Sequence, residues 1–387
     1  MKIAIIGGGI CGLAAAINLK QTGYDVEVYE RHAQHSDIGA GIVLWPNATF
    51  VLKELGLLNE LTNSSGSIQF MRRYAADGEP LGVLDVDKLS GLMAHPSLAI
   101  LRKDLLSILA KRVFDVGVPV NFQHKITSIE DVKANRTKVR FENGLQIEPD
   151  LVLGCDGRMN SICRKYVNGD NFPVYHGFIN WIGVFESEKE IFTELSVQDY
   201  WGVGERFGLV PVSTKKAYWA GGAAAKSIQG KEPNNYKSEL LNIFETWPAT
   251  IPNIIKQTPL KSINKIYVHD HNPIPKWFKN NVLLLGDAAH APLPTSGQGA
   301  CQAIEDVWHL GHCLKQNGSQ LTNAFEQYSA VRMEKTTKIT FQGRQLAASI
   351  FNTNAPYCQQ RNEASQNTNF NQAVIGMAKS WSSGLPI

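Results

Sequence analysis

Very little in this sequence marks the chain for nucleic acid, metal or membrane. Its 38 lysines and arginines are set against 35 acidic residues, a formal net charge of +3. There is no long Lys/Arg block and no basic stripe, so nothing produces the field that a DNA or RNA partner requires. Six cysteines occur (Cys11, Cys155, Cys163, Cys301, Cys313 and Cys358), without a Cys-x-x-Cys pair or a His/Cys metal spacing. His176, His269 and His271 likewise lack a ligand spacing. Disulfide frameworks belong to small secreted chains, so scattered cysteines predict free thiols in a reducing cytoplasm. No apolar run reaches the roughly 20 residues of a membrane span. The run from Ile3 to Ile17 behind Lys2 could pass for a secretory signal, but Gly7, Gly8 and Gly9 would break its helix. What remains is a soluble globular protein whose 387 residues suit two or three lobes around a shared interior.

The opening residues are the most informative. KIAIIGGG is a short buried strand running into a glycine turn, CGLAAAINLKQTG is a helix stopped by Gly23, and YDVEVYE alternates as a second strand. This β-α-β unit opens a doubly wound parallel sheet. Gly7, Gly9 and Gly12 form G-x-G-x-x-G between its first strand and helix. The three glycines serve the tight turn, the approach of backbone to a pyrophosphate and close helix–strand packing, and the helix N-terminus favours phosphate. Glu30 ends the second strand, placed for a ribose hydroxyl, which favours FAD or NAD over NADP. The other glycine cluster, GVGERFG from Gly202, lacks the strand-to-helix context and reads as a bend in a sheet.

Further along, NATFVLKELGLLNELT and LRKDLLSILAKRVFDVG have helical spacing, and alternating runs meet at a hairpin signal, Asn143-Gly144. An aromatic-rich set of strands spans roughly 174 to 267, and the nucleotide-domain pattern resumes at Val282. The late stretch GDAAHAPLPTSGQG, from Gly286, puts an acid in a turn and then opens a helix with glycines. After Asn352 the chain is rich in Asn and Gln: a polar terminal helix or frayed tail on one reading, a partner-binding element on the other.

Taken in order, GGGICG with Glu30, LRKDLL, GCDGRMNSICR and GDAAHAPLPTSGQG resemble the single-component FAD-dependent aromatic hydroxylases, such as salicylate, 3-hydroxybenzoate and FAD-dependent urate hydroxylases. The resemblance runs from Met1 to about Arg344. It implies an α/β fold: a Rossmann-like, glutathione-reductase-type FAD-binding domain with an inserted antiparallel β-sheet substrate domain and C-terminal helices. The expected division gives residues 1–70, 97–172 and 276–345 to the FAD-binding domain. Residues 71–96 and 173–275 go to the substrate sheet, and 346–387 to a C-terminal segment.

By the same resemblance, Gly7, Gly9, Gly12 and Glu30, with Arg31 beside them, form the ADP-binding set, and Arg102 reaches FAD from a helix start. Asp156 and Gly157 match an Asp-Gly motif that handles FAD and nicotinamide. Asp287 binds the middle of FAD, and Pro294, Gly297 and Gly299 lie beside the flavin ring. NADH or NADPH binds transiently and reduces the flavin. O₂ then gives a flavin hydroperoxide that hydroxylates a small aromatic or heteroaromatic substrate. Arg206 and Tyr218 look like the reactive arginine and tyrosine of the urate hydroxylase branch, against the alternative of a surface bend and a core residue. Trp45 and Pro46 line the flavin or pack a loop, and His290 is a base or a satisfied structural residue. A large polycyclic substrate, epoxidation, or a non-catalytic FAD-holding module are the rival readings. Either a homodimer or a monomer is compatible with the pattern.

Overall fold

The computed structural model describes residues 1–35, 40–133 and 135–387. Its organising layer is a six-stranded sheet in the order Phe278–Lys279, Val282–Leu284, Leu151–Gly154, Lys2–Ile6, Asp25–Tyr29, Val120–Asn121. Every neighbouring pair is parallel except the antiparallel edge Phe278–Lys279 with Val282–Leu284. The central strands are apolar and buried on both faces, as covered parallel strands are. The helix Ile10–Gln21 is buried over most of its circumference, from Ile10 through Ile17. That explains why its alanines carry no polar stripe: it lies inside, against the helix Gly299–Asn317.

The second layer is a seven-stranded sheet in the order Asn264–Asp270, Val174–Glu186, Lys216–Ala224, Glu205–Pro211, Ser196–Trp201, Phe70–Ala75, Pro80–Asp85. Only the Ser196–Trp201/Phe70–Ala75 pair is parallel. Strand alternation divides its residues cleanly between two faces. Trp181, Phe185, Phe207, Leu209, Ala217 and Trp219 form a closed core with Leu240, Phe244, Ile251, Ile254 and Ile255 of the helices Tyr236–Phe244 and Thr250–Gln257. The opposite face carries Asn180, Ile182, Arg206, Gly208, Tyr218 and Ala220, all only half-buried. GVGERFG is indeed a bend: Gly202 to Gly204 turn the chain between two paired strands.

One local expectation needs correction. The helix expected over NATFVLKELGLLNELT is two helices, Pro46–Glu54 and Leu58–Asn63, because Gly56 between them adopts a φ of +78°. Of the readings open for the Asn/Gln-rich end, the polar terminal helix is the one observed. The segment forms helices Ala355–Gln366 and Phe370–Ser382, in which Asn354 accepts from Tyr357 N (2.9 Å) and Asn369 from Gln372 N (3.1 Å). Two of the asparagines that suggest disorder by composition are N-caps. All six cysteines are free, and among the described residues no helix is long and apolar enough to cross a membrane.

Candidate functional site

The fingerprint turn is built so that one glycine faces outward and two face inward. Gly7 has a φ of +113°, and a Cβ there would lie 2.3 Å from Cys155 O; one on Gly12 would lie 1.9 Å from Gly7 O. Both positions are closed by backbone. Gly9, the N-cap of the helix, would place a Cβ with no heavy atom of the described residues within 4 Å. Space is thus kept free at the one glycine that adjoins the positive end of the helix dipole. Glu30 closes the turn from the side: Gly8 N donates to its Oε2 (2.7 Å) and His32 N to its Oε1 (2.9 Å). The carboxylate is fixed while keeping lone pairs for further donors. Arg31, next to it, is exposed, and its Nε lies 3.2 Å from His32 Nε2.

A cationic group lies farther along. Arg102 starts the helix Arg102–Asp115, and Arg158 Nη1 donates to Asp287 Oδ2 at 3.1 Å. Burial lowers the Arg102 pKa, with Asp287 opposing that shift and Arg158 adding to it, so the three side chains feel one another. Arg102 Nε and Arg158 Nε are both buried without an acceptor among the described residues. Two unpartnered guanidinium donors, in a fold that also carries an open glycine turn, fit an elongated anionic ligand such as FAD. Arg158 was hidden by its setting in the sequence, since a charged residue after a turn reads as surface.

Asp156 adjoins the same turn through its backbone, but its carboxylate accepts from Ser161 Oγ (2.5 Å) and Cys163 N (3.1 Å) at the start of the helix Ile162–Asn168. Burial raises its pKa against those bonds. Gly157 follows with a φ of +80°. Arg164 in that helix is 2% exposed, and its Nη1 holds the carbonyls of Ala288 and Ala289, each at 3.0 Å. It pins the turn that carries Asp287.

The second glycine stretch forms a short turn, Pro294–Ser296, then Gly297 at a φ of +63° and a helix from Gly299. Thr295 Oγ1 donates to Gly343 O (2.7 Å) on the long helix Leu321–Ile350, which supports the turn from outside. Trp45 Nε1 donates to Gly297 O at 2.9 Å, and Pro46 begins the helix behind it. Asn47 Nδ2 donates to Gln298 Oε1 at 3.0 Å. His290 is bound at 2.6 Å to Asp306, inside a buried ion network with Arg332 and Glu305. That is a structural position.

On the half-buried face of the large sheet, Arg206 and Tyr218 share one side: Arg206 pairs with Gly222, and Val210, four residues on, pairs with Tyr218. Arg206 Nε donates to Asp199 Oδ1 (2.6 Å), and Trp201 Nε1 to Asp199 Oδ2 (2.9 Å). The Tyr218 ring lies against Gly41, where a Cβ would come within 2.0 Å of Cδ1. Burial raises the Tyr218 pKa, Cys301 adds to this and Arg206 opposes it, so the phenol stays protonated at neutral pH with the helix Gly299–Asn317 close by. The structure therefore brings the sheet, the Gly41 strand and the second glycine helix to one place. Arg73 joins the group as the cross-strand partner of Asp199, a position no sequence pattern singles out. No cluster of three or more metal-ligating side chains occurs among the described residues.

Comparison with known proteins agrees with this geometry. The sequence profile of the family described as FAD binding domain matches residues 1–341. The chain is 32% identical over 335 residues to the aurachin C monooxygenase/isomerase of Stigmatella aurantiaca, covering 87% of this chain and 86% of that protein. It is 29% identical over 350 residues to the FAD-dependent urate hydroxylase of Mycolicibacterium vanbaalenii, covering 89% and 87%. The crystal structure of Klebsiella pneumoniae HpxO complexed with FAD and uric acid superposes with a TM-score of 0.91 at 26% identity, over 100% of this chain and 97% of that one. The chain belongs to the FAD binding domain family, among the single-component FAD-dependent aromatic hydroxylases.

Proposed function

We propose that the protein hydroxylates a small, planar, electron-rich heteroaromatic ring, taking one oxygen atom from O₂ with NADH or NADPH as reductant. Bound FAD supplies the acceptance of two electrons and the activation of O₂. Gly7, Gly9, Gly12 and Glu30 would hold its ADP half, Arg102, Arg158 and Asp287 its middle, and Pro294, Gly297 and Gly299 would flank its ring. The unpaired N–H groups at the start of the helix Gly299–Asn317 would favour negative charge at that end.

The observation that carries the substrate reading is the pairing of Arg206 and Tyr218 on the open face of the sheet. Asp199 engages only Nε of Arg206, and neither Nη has an acceptor among the described residues. Those donors suit an anionic ring oxygen or ring carboxylate. Tyr218 stays protonated, so it serves as a hydrogen-bond donor that orients a ring nitrogen or oxygen rather than as a base. Ile182, Val210 and Ala220 on the same face give the ring an apolar wall and keep water out.

Hydroxypyridines, quinolines, purines and aromatic acids, tested in turn for stimulated NAD(P)H oxidation, are expected to include one whose product gains the mass of one oxygen. With that substrate, Arg206→Ala should raise KM by about 10- to 100-fold, the effect of losing a charge-assisted hydrogen bond. Bound flavin should be unchanged. Unaltered KM and kcat in that variant would remove Arg206 from the site.

A further inference from the structure

We infer that the C-terminal helix Phe370–Ser382 and the residues just after it act as a strap that positions the Gly297 loop, with Trp381 and Lys335 as its positioning residues. This rests on the family's use of FAD and not on the substrate reading. Two independent routes lead from the strap to the loop. Along the first, Trp381 packs on Trp45 with ring centroids 5.1 Å apart, and Trp45 Nε1 holds Gly297 O at 2.9 Å. Along the second, Lys335 Nζ donates to Trp381 O (2.8 Å), Ser383 O (2.8 Å) and Glu305 Oε1 (2.7 Å). All three ammonium donors are thereby used. Glu305 Oε2 in turn accepts from Asn47 Nδ2 (3.1 Å), which also donates to Gln298, the residue between the two loop glycines.

The far end of the same helix reaches the substrate face. Phe370 packs on Gly82, where a Cβ would lie 2.1 Å from its ring, and Arg73 sits 5.6 Å over that ring. Arg73 is the cross-strand partner of Asp199, which holds Arg206. One helix therefore touches the support of the flavin-facing loop at one end and the support of the substrate arginine at the other. A segment whose only role was to cover apolar surface would not need its terminal carbonyls gathered by a half-buried ammonium.

The test compares Trp381→Ala with Trp381→Phe and with Val374→Ala, a change at a buried position of the same helix. Trp381→Ala is expected to weaken FAD binding about tenfold, the scale of one lost aromatic contact. It should also alter the visible circular dichroism of the bound flavin and raise the share of NAD(P)H diverted to hydrogen peroxide. Trp381→Phe should restore all three, and Val374→Ala should lower the melting temperature without changing them. The strap is overturned if Trp381→Ala keeps the wild-type FAD dissociation constant and flavin spectrum. It is equally overturned if Val374→Ala reproduces the spectral change at matched loss of stability. Should Trp381→Ala fail to fold, Lys335→Met decides by the same two measurements. Wild-type protein that takes up no FAD would count against the family's chemistry in this chain, not against the strap.

Discussion

Alanine at position 9 is expected to leave the protein folded and strip it of flavin, whereas alanine at position 12 should damage both. Gly9 has φ −81° and ψ −172°, a conformation open to any residue, and its added Cβ would meet no atom of the described residues within 4 Å. The N-cap preference for glycine over alanine and the stiffer unfolded chain of alanine act in opposite directions, by about 1 kcal/mol each, so apo-protein stability changes little. Only a ligand on the helix N-terminus would feel the new methyl group. Displacing a pyrophosphate from those N–H groups should weaken FAD by about 100-fold or more, the loss of roughly 3 kcal/mol of charge-assisted hydrogen bonds. At Gly12 the methyl would stand 1.9 Å from Gly7 O and 3.2 Å from Ile5 Cγ2, and a backbone carbonyl cannot swing aside as a side chain can. Thermal melts of the apo-proteins, with FAD titrated by fluorescence quenching, separate the two. A Gly9→Ala protein as yellow as wild type would mean that the pyrophosphate does not approach this glycine.

The contrast between those glycines marks what a sequence can carry. Spacing reveals a turn that needs three glycines and, by their order, which of them a pyrophosphate approaches; it does not say what closes the other two. For Gly7 that is Cys155, 148 positions later and brought up by strand pairing. The large sheet was legible as an aromatic-rich set of strands, yet the choice of open face was not, since Trp219 and Tyr218 are equally aromatic. One is fully buried beneath the helices Tyr236–Phe244 and Thr250–Gln257, and the other lies against Gly41. Charged residues were the hardest to read. Arg164 and Arg332 look like ordinary helix-surface cations but are 2% and 0% exposed, because their partners are carbonyls or carboxylates distant in sequence. Composition alone left the tail open between helix and fraying, where asparagines cap helices and Lys335, 48 positions before Ser383, collects carbonyls at the helix end.

Arg332→Met is expected to destabilise the protein by about 3–5 kcal/mol at pH 7, the effect of removing one member of a buried ion cluster. Arg332 donates through Nε to Asp306 Oδ1 (2.7 Å), through Nη1 to Glu305 and through Nη2 to Gln302 Oε1 (2.7 Å). All three charged side chains are fully buried. Burial works against each charge, but Arg332 with its neighbours outweighs it. Glu305 and Asp306 are held below the usual carboxylate range and the guanidinium is raised. Carboxylates depressed in this way add stability that is fully present above their unfolded values, near pH 4, and is lost as pH falls through the folded ones. In the variant this contribution is already missing at neutral pH, so the gap from wild type should narrow in melts taken below about pH 4. Asp306 Oδ2 also holds Gly286 N (2.8 Å), one residue before Asp287, so weaker FAD retention should accompany the loss. The damage lies in the charges left behind. Adding Glu305→Gln and Asp306→Asn to Arg332→Met should therefore recover part of the stability; a triple variant no better than the single one would locate the effect in lost packing instead.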